Sequence, residues 1–207
     1  MTDVQTNPQT GQAPGATDDE ASVLAGLSVL FLTADEGIES AELVEPWRAL
    51  QEAGGRPVLA STGGGDVQLY EHLDPSGIHT ADLATSAAKA DDYVALVLPG
   101  GVANADELRT DAAAVALVRQ FVEAGKPVAV VCHGAWSMVE ADVVRGRTLT
   151  SWPSLQTDLR NAGAEWRDEE VVVCTDGPGP IISSRKPDDL PAFDRALVEH
   201  VAAIAKA

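Results

Sequence analysis

Basic residues are scarce in this sequence of 207 residues. Lysine and arginine together number 14 against 32 aspartates and glutamates, so the formal net charge is -18 and the isoelectric point is about 4.3. A surface with this charge repels phosphate backbones and anionic lipid headgroups. We therefore expect neither nucleic acid nor a membrane surface among the partners of this protein.

Cysteines and long apolar runs are also scarce. The two cysteines, Cys132 and Cys174, cannot build a framework of several disulfides, and both lie in runs typical of buried strands. The first 22 residues contain no lysine or arginine and no apolar block, unlike a secretory signal. No stretch approaches the roughly 20 apolar residues that a membrane span needs. These absences predict a cytoplasmic protein.

The composition changes after the first segment of the chain. Residues 1–24 are rich in Thr, Gln, Gly, Pro and Asp, and we expect them to form a disordered acidic and polar tail. Residues 25–207 show no second core, which predicts a single domain.

Short apolar runs alternate with helical periodicity along this domain, which is typical of a mostly parallel sheet with helices on both faces. Strands are expected at residues 27–33, 57–61, 93–98, 127–131, 170–174 and 181–184, and helices at residues 42–53, 111–124, 153–161 and 188–204.

Residues 66–83 interrupt this alternation. The run Asp74-Pro75-Ser76-Gly77 is a strong turn signal between strand-like residues, so we expect a hairpin with its turn there. His72 and His79 flank the turn, but two exposed imidazoles without a third ligand make a weak metal site. Neither a metal ion nor another cofactor is expected.

Reactive side chains and glycines follow several of the predicted strands. Pro99-Gly100-Gly101 follows one strand, Cys132-His133-Gly134 another, and an acidic loop at residues 34–39 a third. In open parallel sheets, ligands bind outside the carboxyl ends of the strands, so these segments are expected to meet in one crevice.

Each of these groups has a use in attack on a carbonyl carbon. A cysteine between a strand and a helix faces free N–H groups and the positive end of the helix dipole, which favour the thiolate. Gly134 permits the sharp turn of a nucleophile elbow. Gly100 and Gly101 lack side chains, so their N–H groups can approach a developing oxyanion.

Each feature also has an ordinary structural interpretation. A single cysteine at the end of an apolar strand is more often a small core residue than a nucleophile, and a glycine pair can be a simple turn. The catalytic interpretation of Cys132 depends on all three features falling at strand ends of one sheet. Cys174 has no reactive neighbour in the sequence, so we interpret it as structural.

The sequence resembles the PfpI family, the branch similar to intracellular protease I within the superfamily that includes glyoxalase III and protein deglycase enzymes. The matching segments are VLFLT at 29–33, ESAELVEP at 39–46, LVLPGG at 96–101, GKPVAVVCHGA at 125–135, VRGRTLTSW at 144–152 and SRKPDDLPAF at 184–193. They cover nearly the whole chain after the tail. The resemblance implies an α/β fold, a flavodoxin-like three-layer sandwich with a nucleophile elbow.

Site residues are also implied by this resemblance. Cys132 corresponds to the nucleophile and His133 to the imidazole next to it. Glu39 matches the carboxylate beside the sulfur, with Glu36 and Glu42 as alternatives because the preceding loop has one extra residue. Asp106 matches an acid that approaches the imidazole from a neighbouring subunit, which implies a homodimer or a higher homo-oligomer.

This chain departs from the family pattern in one turn. Family members commonly have Val-Asp-Gly-Asn after the strand near residue 173, whereas this chain has Val-Cys-Thr-Asp-Gly-Pro-Gly-Pro at residues 173–180.

The resemblance favours cysteine-dependent conversion of reactive dicarbonyls such as methylglyoxal, with a small aldehyde as substrate. An intracellular cysteine peptidase with a peptide substrate is one alternative, and a redox sensor or stress-protective module that uses Cys132 without turnover is another. Glutamine hydrolysis is disfavoured, because His200 and Glu199 lie in the last helix and not in the arrangement that glutaminase domains use.

Overall fold

The computed structural model describes residues 23–204. Residues 1–22 of the predicted tail lie outside the described residues. Leu24, the last residue assigned to that tail, is fully buried, and its N–H donates to the carbonyl of Ala53 at 2.9 Å. Packing therefore begins before residue 25.

The described residues contain twelve strands and six α-helices. The strands are β1 Ser28–Thr33, β2 Glu36–Glu39, β3 Arg56–Ser61, β4 Asp66–Glu71, β5 Asp74–Thr80, β6 Leu83–Ala84, β7 Ala95–Leu98, β8 Val128–Val131, β9 Thr148–Leu149, β10 Glu165–Trp166, β11 Val171–Cys174 and β12 Ile181–Ser184. The helices are α1 Ser40–Glu52, α2 Val102–Leu108, α3 Ala112–Glu123, α4 Ala135–Glu140, α5 Gln156–Asn161 and α6 Leu190–Ile204.

Seven strands form the central sheet, in the order β11-β12-β8-β7-β1-β3-β6. All neighbours pair in parallel except β11, which runs antiparallel to β12 at one edge. The central strands β1, β7 and β8 are almost completely buried, as apolar runs covered on both faces should be.

Two apolar layers cover the two faces of this sheet. Side chains of α1 and α6 pack on one face, and side chains of α3, α4 and α5 pack on the other. The result is the predicted flavodoxin-like three-layer α/β/α sandwich, and this prediction is confirmed. The carboxyl ends of β1, β7 and β8 therefore lie at the same edge of the sheet.

The hairpin forms, but its turn is not where the sequence predicts it. Asp74 to Gly77 belong to β5, and the chain reverses at His72 and Leu73. His72 has a φ of 59°, which supplies the left-handed conformation that the turn requires. Strands β4 and β5 join β2 in a separate sheet of three strands, so the turn lies beside the end of β2.

The sequence did not predict β2 or the helix α2. Both are short, at four and seven residues, and both follow central strands closely. No helix in residues 23–204 has the length and apolar character needed to cross a bilayer.

Candidate active site

Cys132 occupies a sharp turn between β8 and α4. Its φ is 59°, a left-handed conformation that is uncommon for a residue other than glycine and is concentrated at functional sites. Gly134 lies close under the end of β7, where a Cβ atom would come within 2.6 Å of the Leu98 carbonyl oxygen. The predicted elbow thus needs a residue without a side chain at position 134.

The sulfur of Cys132 faces several polar groups. Its Sγ lies 3.2 Å from Nδ1 of His133, and the backbone N–H groups of Gly101 and His133 lie beside it and favour its ionised form. N–H groups in this position can stabilise a negative charge on the sulfur.

The two glycines predicted as oxyanion donors differ in the structure. The N–H of Gly101 faces the sulfur, whereas the N–H of Gly100 donates to Oε2 of Glu42 at 2.9 Å. The prediction for Gly100 is therefore revised, because its donor is already used in holding a side chain. Asn104, which the sequence did not single out, fixes this loop by donating to the carbonyls of Pro99 and Gly100.

The carboxyl group beside the thiol belongs to Glu42 and not to Glu39. Glu42 is fully buried in the first turn of α1, with its carboxyl group beside the Cys132 thiol. Glu39 instead accepts a hydrogen bond from the backbone N–H of His72 at 3.1 Å. The physical reason is that residues 36–39 form β2, which pairs with β4 and directs Glu39 toward the hairpin.

The buried carboxyl and the thiol are coupled electrostatically. Burial raises the pKa of Glu42 to about 8, and the negative charge of Glu39 adds to this effect. Burial and the charge of Glu42 raise the pKa of the Cys132 thiol. Because two adjacent buried anions repel each other, the pair retains at least one proton, and the N–H donors at the sulfur favour placing it on the carboxyl.

These groups open into a cleft of about 770 Å³. Trp136 and Trp152 form its aromatic wall, with ring centroids 5.3 and 5.7 Å from that of His133. Burial lowers the pKa of His133, so its imidazole is neutral at neutral pH. The sequence did not identify the two tryptophans, although Trp136 stands four residues after Cys132 in the helix that follows the elbow.

Asp106 lies on α2 at the rim of this same cleft. Its carboxylate is exposed and accepts two hydrogen bonds from Arg109, at 2.8 and 3.1 Å. In the described part of the chain, no carboxyl group forms a hydrogen bond with His133. The predicted role of Asp106 in a neighbouring subunit stays a prediction.

The remaining candidates lie apart from the thiol. His79 packs its ring against Trp47, and residues 23–204 contain no group of three or more His, Cys, Asp or Glu arranged for a metal ion.

Cys174 does have a polar neighbour that the sequence did not reveal: Arg147 donates from Nε to its sulfur at 3.4 Å.

Comparison with known proteins agrees with this architecture. The model of the DJ-1/PfpI family matches residues 27–200. A deglycase of Pyrococcus horikoshii is 40% identical over 177 residues, 84% of this chain and 98% of its own. The protein/nucleic acid deglycase 2 of Escherichia coli is 38% identical over 167 residues, 81% of this chain and 93% of its own.

A solved structure shows the same fold. Drosophila melanogaster DJ-1beta superposes with a TM-score of 0.75 at 25% identity, over 85% of this chain and 90% of that protein. The family match spans the elbow, both glycines and the buried carboxyl. From its sequence and its fold, this chain belongs to the DJ-1/PfpI family.

Proposed function

We propose that this protein is a cysteine-dependent enzyme that converts reactive dicarbonyls and their early adducts with amines, in the manner of glyoxalase III and the deglycases. The observation that carries the proposal is the position of the Cys132 sulfur. It lies between two N–H donors and a buried carboxyl, in a cleft large enough for a small carbonyl compound. The names of the archaeal and bacterial relatives support the same activity.

The proposed reaction begins at the sulfur. The thiolate adds to the aldehyde carbon of methylglyoxal, a C–S bond forms, and the oxygen takes a proton to give a hemithioacetal. When the substrate is an amine adduct, the sulfur displaces the amine, which leaves with a proton. The N–H of Gly101 stabilises the oxyanion while these bonds change.

The following steps move protons and need no external oxidant. A proton leaves the carbon bound to sulfur and another is delivered to the adjacent carbon, through an enediol, which leaves a thioester on Cys132. Water hydrolyses the thioester to lactate and regenerates the thiol. Glu42 and His133 are the groups positioned to carry these protons, because both contact the sulfur.

The test compares three substrates with the wild-type protein and its Cys132→Ser variant. Methylglyoxal and its adduct with an amine are expected to yield lactate with the wild type and none above background with the variant. Casein serves as the peptidase substrate, and its cleavage without lactate formation would favour the alternative activity. Oxidation of Cys132 without turnover of any substrate would contradict the enzymatic proposal.

A further inference from the structure

The aromatic wall of the cleft contains a tryptophan that is held from outside the cleft. Trp136 lies in the first turn of α4, directly after the elbow, and is half-buried. Its ring meets that of His133 at an interplanar angle of 62°, with the centroids 5.3 Å apart, and it lines the same cleft as Cys132. The position of this ring therefore sets how much room a substrate has beside the imidazole.

Two groups on other helices hold the ring of Trp136. Its Nε1 donates to Oδ2 of Asp158 on α5 at 2.8 Å, and Cζ of Arg109, at the C-terminal end of α2, lies 4.9 Å from the ring centroid. The attraction of a cation to a ring face tolerates a range of ring orientations, whereas a hydrogen bond is directional. Asp158 is therefore the group that selects the orientation of the ring.

Folding does not require this hydrogen bond. Asp158 is exposed and the bond itself is accessible to solvent, so water can satisfy both groups when they separate. What the bond adds is a preference for one orientation of the indole, by about fivefold for a hydrogen bond of ordinary net strength. Its effect is thus expected in the cleft and not in the core.

The second tryptophan of the wall is fixed by the elbow itself. The backbone N–H of Trp152 donates to the carbonyl of Cys132 at 3.2 Å, and its ring stacks on that of His133 at an interplanar angle of 27°. Its position follows from the chain next to the nucleophile. Trp136 is the part of the wall whose position depends on a side chain outside the cleft.

We infer that Asp158 is a positioning residue of the active site, which holds Trp136 against His133 and so limits the size of the group that can accompany the reacting carbonyl carbon. Asp158 is not among the residues that line the cleft, so it acts through Trp136. The inference rests on the proposed function for the identity of the substrates. The space beside the sulfur, however, can be measured without any turnover.

The first experiment measures access to the thiol. Iodoacetamide and its N-phenyl derivative react in the same way: a C–S bond forms at the Cys132 sulfur and iodide leaves. Rates at Cys132 are read by peptide mass mapping and divided by the rates with free cysteine. The bulky reagent needs the ring of Trp136 displaced, so Asp158→Ala should raise the normalised ratio of the phenyl reagent to iodoacetamide about fivefold. An unchanged ratio would overturn the inference.

Matched variants identify the route of the effect. Asp158→Asn keeps an acceptor for the indole N–H and should stay within about twofold of the wild-type ratio. Glu140→Ala is the control, because it removes the same charge from the exposed end of α4, outside the lining of the cleft. Trp136→Phe removes the donor, so Asp158→Ala should cause no further change in that background. A full increase there, or an equal increase with Glu140→Ala, would overturn the inference.

A spectroscopic measurement reports the hydrogen bond directly. The four tryptophans give four indole signals in a nitrogen–proton correlation spectrum, and Trp136→Phe identifies the signal of residue 136. Asp158→Ala should move that proton signal upfield and leave those of Trp47 and Trp166 in place, because only one indole loses its acceptor. A signal of Trp136 that does not move would overturn the inference whatever the effect on turnover.

The last experiment uses substrates of different size. Methylglyoxal and phenylglyoxal are compared by kcat/KM from the lactate and mandelate formed. Asp158→Ala should raise the relative value for phenylglyoxal about fivefold and leave kcat for methylglyoxal within about twofold, because the groups that carry protons are unchanged. A lower kcat with an unchanged ratio would overturn the inference and leave the proposed function intact. The expected alkylation ratio without turnover of either substrate would do the reverse.

Discussion

At the scale of single residues, the site depends on which of two nearby glutamates contacts the sulfur. Glu42 is buried against Cys132 and Gly100, whereas Glu39 belongs to the hairpin side of the cleft. The sequence contained a signal for this arrangement. Glu42 falls on the buried stripe of α1 together with Leu43, Pro46 and Leu50, so an acid stands where an apolar residue is expected.

Replacement of each glutamate tests the assignment. Glu42→Gln should lower kcat for methylglyoxal by about a hundredfold or more, because the amide cannot carry the protons of the later steps. Glu39→Gln should lower it less than about tenfold, because this carboxylate does not contact the reacting atoms. The measurement is lactate formation at saturating substrate. Equal losses in the two variants would contradict the assignment.

The pH dependence of alkylation is a second measurement on the same pair. With the pKa of Glu42 at about 8, the pair gains its negative charge as the pH rises toward that value, and labelling of Cys132 by iodoacetamide should rise with it. Glu42→Gln removes the carboxyl group that shares a proton with the thiol. The labelling of Cys132 should then no longer follow the titration of the pair, and its pH profile should move. A profile that does not move would remove Glu42 from the coupled pair.

The environment of Cys174 changes the interpretation of the second cysteine. Arg147 is buried, and in residues 23–204 no aspartate or glutamate forms an ion pair with it. Its guanidinium donates to the sulfur and carbonyl of Cys174 and to the carbonyl of Gly179. Burial opposes ionisation of this thiol, but the hydrogen bonds from Arg147 and from the backbone N–H of Thr148, together with the charge of Arg147, outweigh it and lower its pKa. The sulfur is therefore a hydrogen-bond acceptor for a buried cation.

Substitutions at Cys174 should separate charge from packing. Cys174→Ala leaves Arg147 without that partner, and we expect a loss of about 2 kcal/mol in the free energy of unfolding. Cys174→Asp places an acceptor and an anion beside Arg147 and should lose less. Urea unfolding curves measure both. If alanine and aspartate destabilise equally, a partner for Arg147 at position 174 does not matter for folding.

At the scale of secondary structure elements, α1 and α6 pack on one face of the sheet, and Asp194 of α6 lines a groove together with Ala49 and Glu52 of α1. Its Oδ1 is buried without a hydrogen-bond partner among the described residues. Burial, with a smaller contribution from the charge of Glu45, raises the pKa of Asp194 to about 7. In an unfolded chain the pKa of an aspartate is about 3.9.

This difference predicts a stability that depends on pH. Between about pH 4 and pH 7, Asp194 keeps its proton in the folded state but loses it in the unfolded state. The contribution of Asp194 to stability therefore falls as the pH rises through this window. Asp194→Asn should therefore raise the melting temperature above pH 7, and its advantage should shrink toward acidic pH. Glu199→Gln, an exposed change in the same helix, should have little effect at either pH. A constant gain across the pH range would contradict the explanation.

At the scale of the whole molecule, His133 has no carboxyl partner within the described chain, and the rim of the cleft carries exposed apolar side chains. Leu73 and Val102 are 90% and 55% exposed. Such a rim is suited to contact with a second copy of the chain, although two surfaces of high negative charge repel each other. Screening over roughly 8 Å at physiological ionic strength weakens that repulsion.

Complementation tests whether the active site is shared between subunits. Cys132→Ser and Asp106→Ala should each be inactive alone, and mixing them under conditions of subunit exchange should restore part of the activity. Recovery requires that Asp106 of one subunit serve Cys132 and His133 of its neighbour. If exchange is demonstrated by mass and activity does not return, Asp106 acts within its own cleft or outside catalysis.

The order of elements was determined by the sequence itself. Buried parallel strands appear in the sequence as short apolar runs, and amphipathic helices appear as apolar residues that recur with a period of 3.6 residues. The three layers and the elbow at Cys132 followed from these local patterns. The short elements β2 and α2 lacked such a pattern, and the turn at His72 lay before the stronger turn signal at Asp74. The turn propensity of residues 74–77 was overridden because these residues pair with β4 as part of β5.

The contacts within the site were decided by the tertiary structure alone. Glu42 reaches Cys132 across 90 positions of the chain, and Arg147 reaches Cys174 across 27. The side-chain direction at each of these positions depends on how a helix rotates or a strand pairs, and one extra residue in a loop changes it. A sequence pattern specifies which face is buried, but hydrogen bonds between distant residues depend on distances that only the packed layers set.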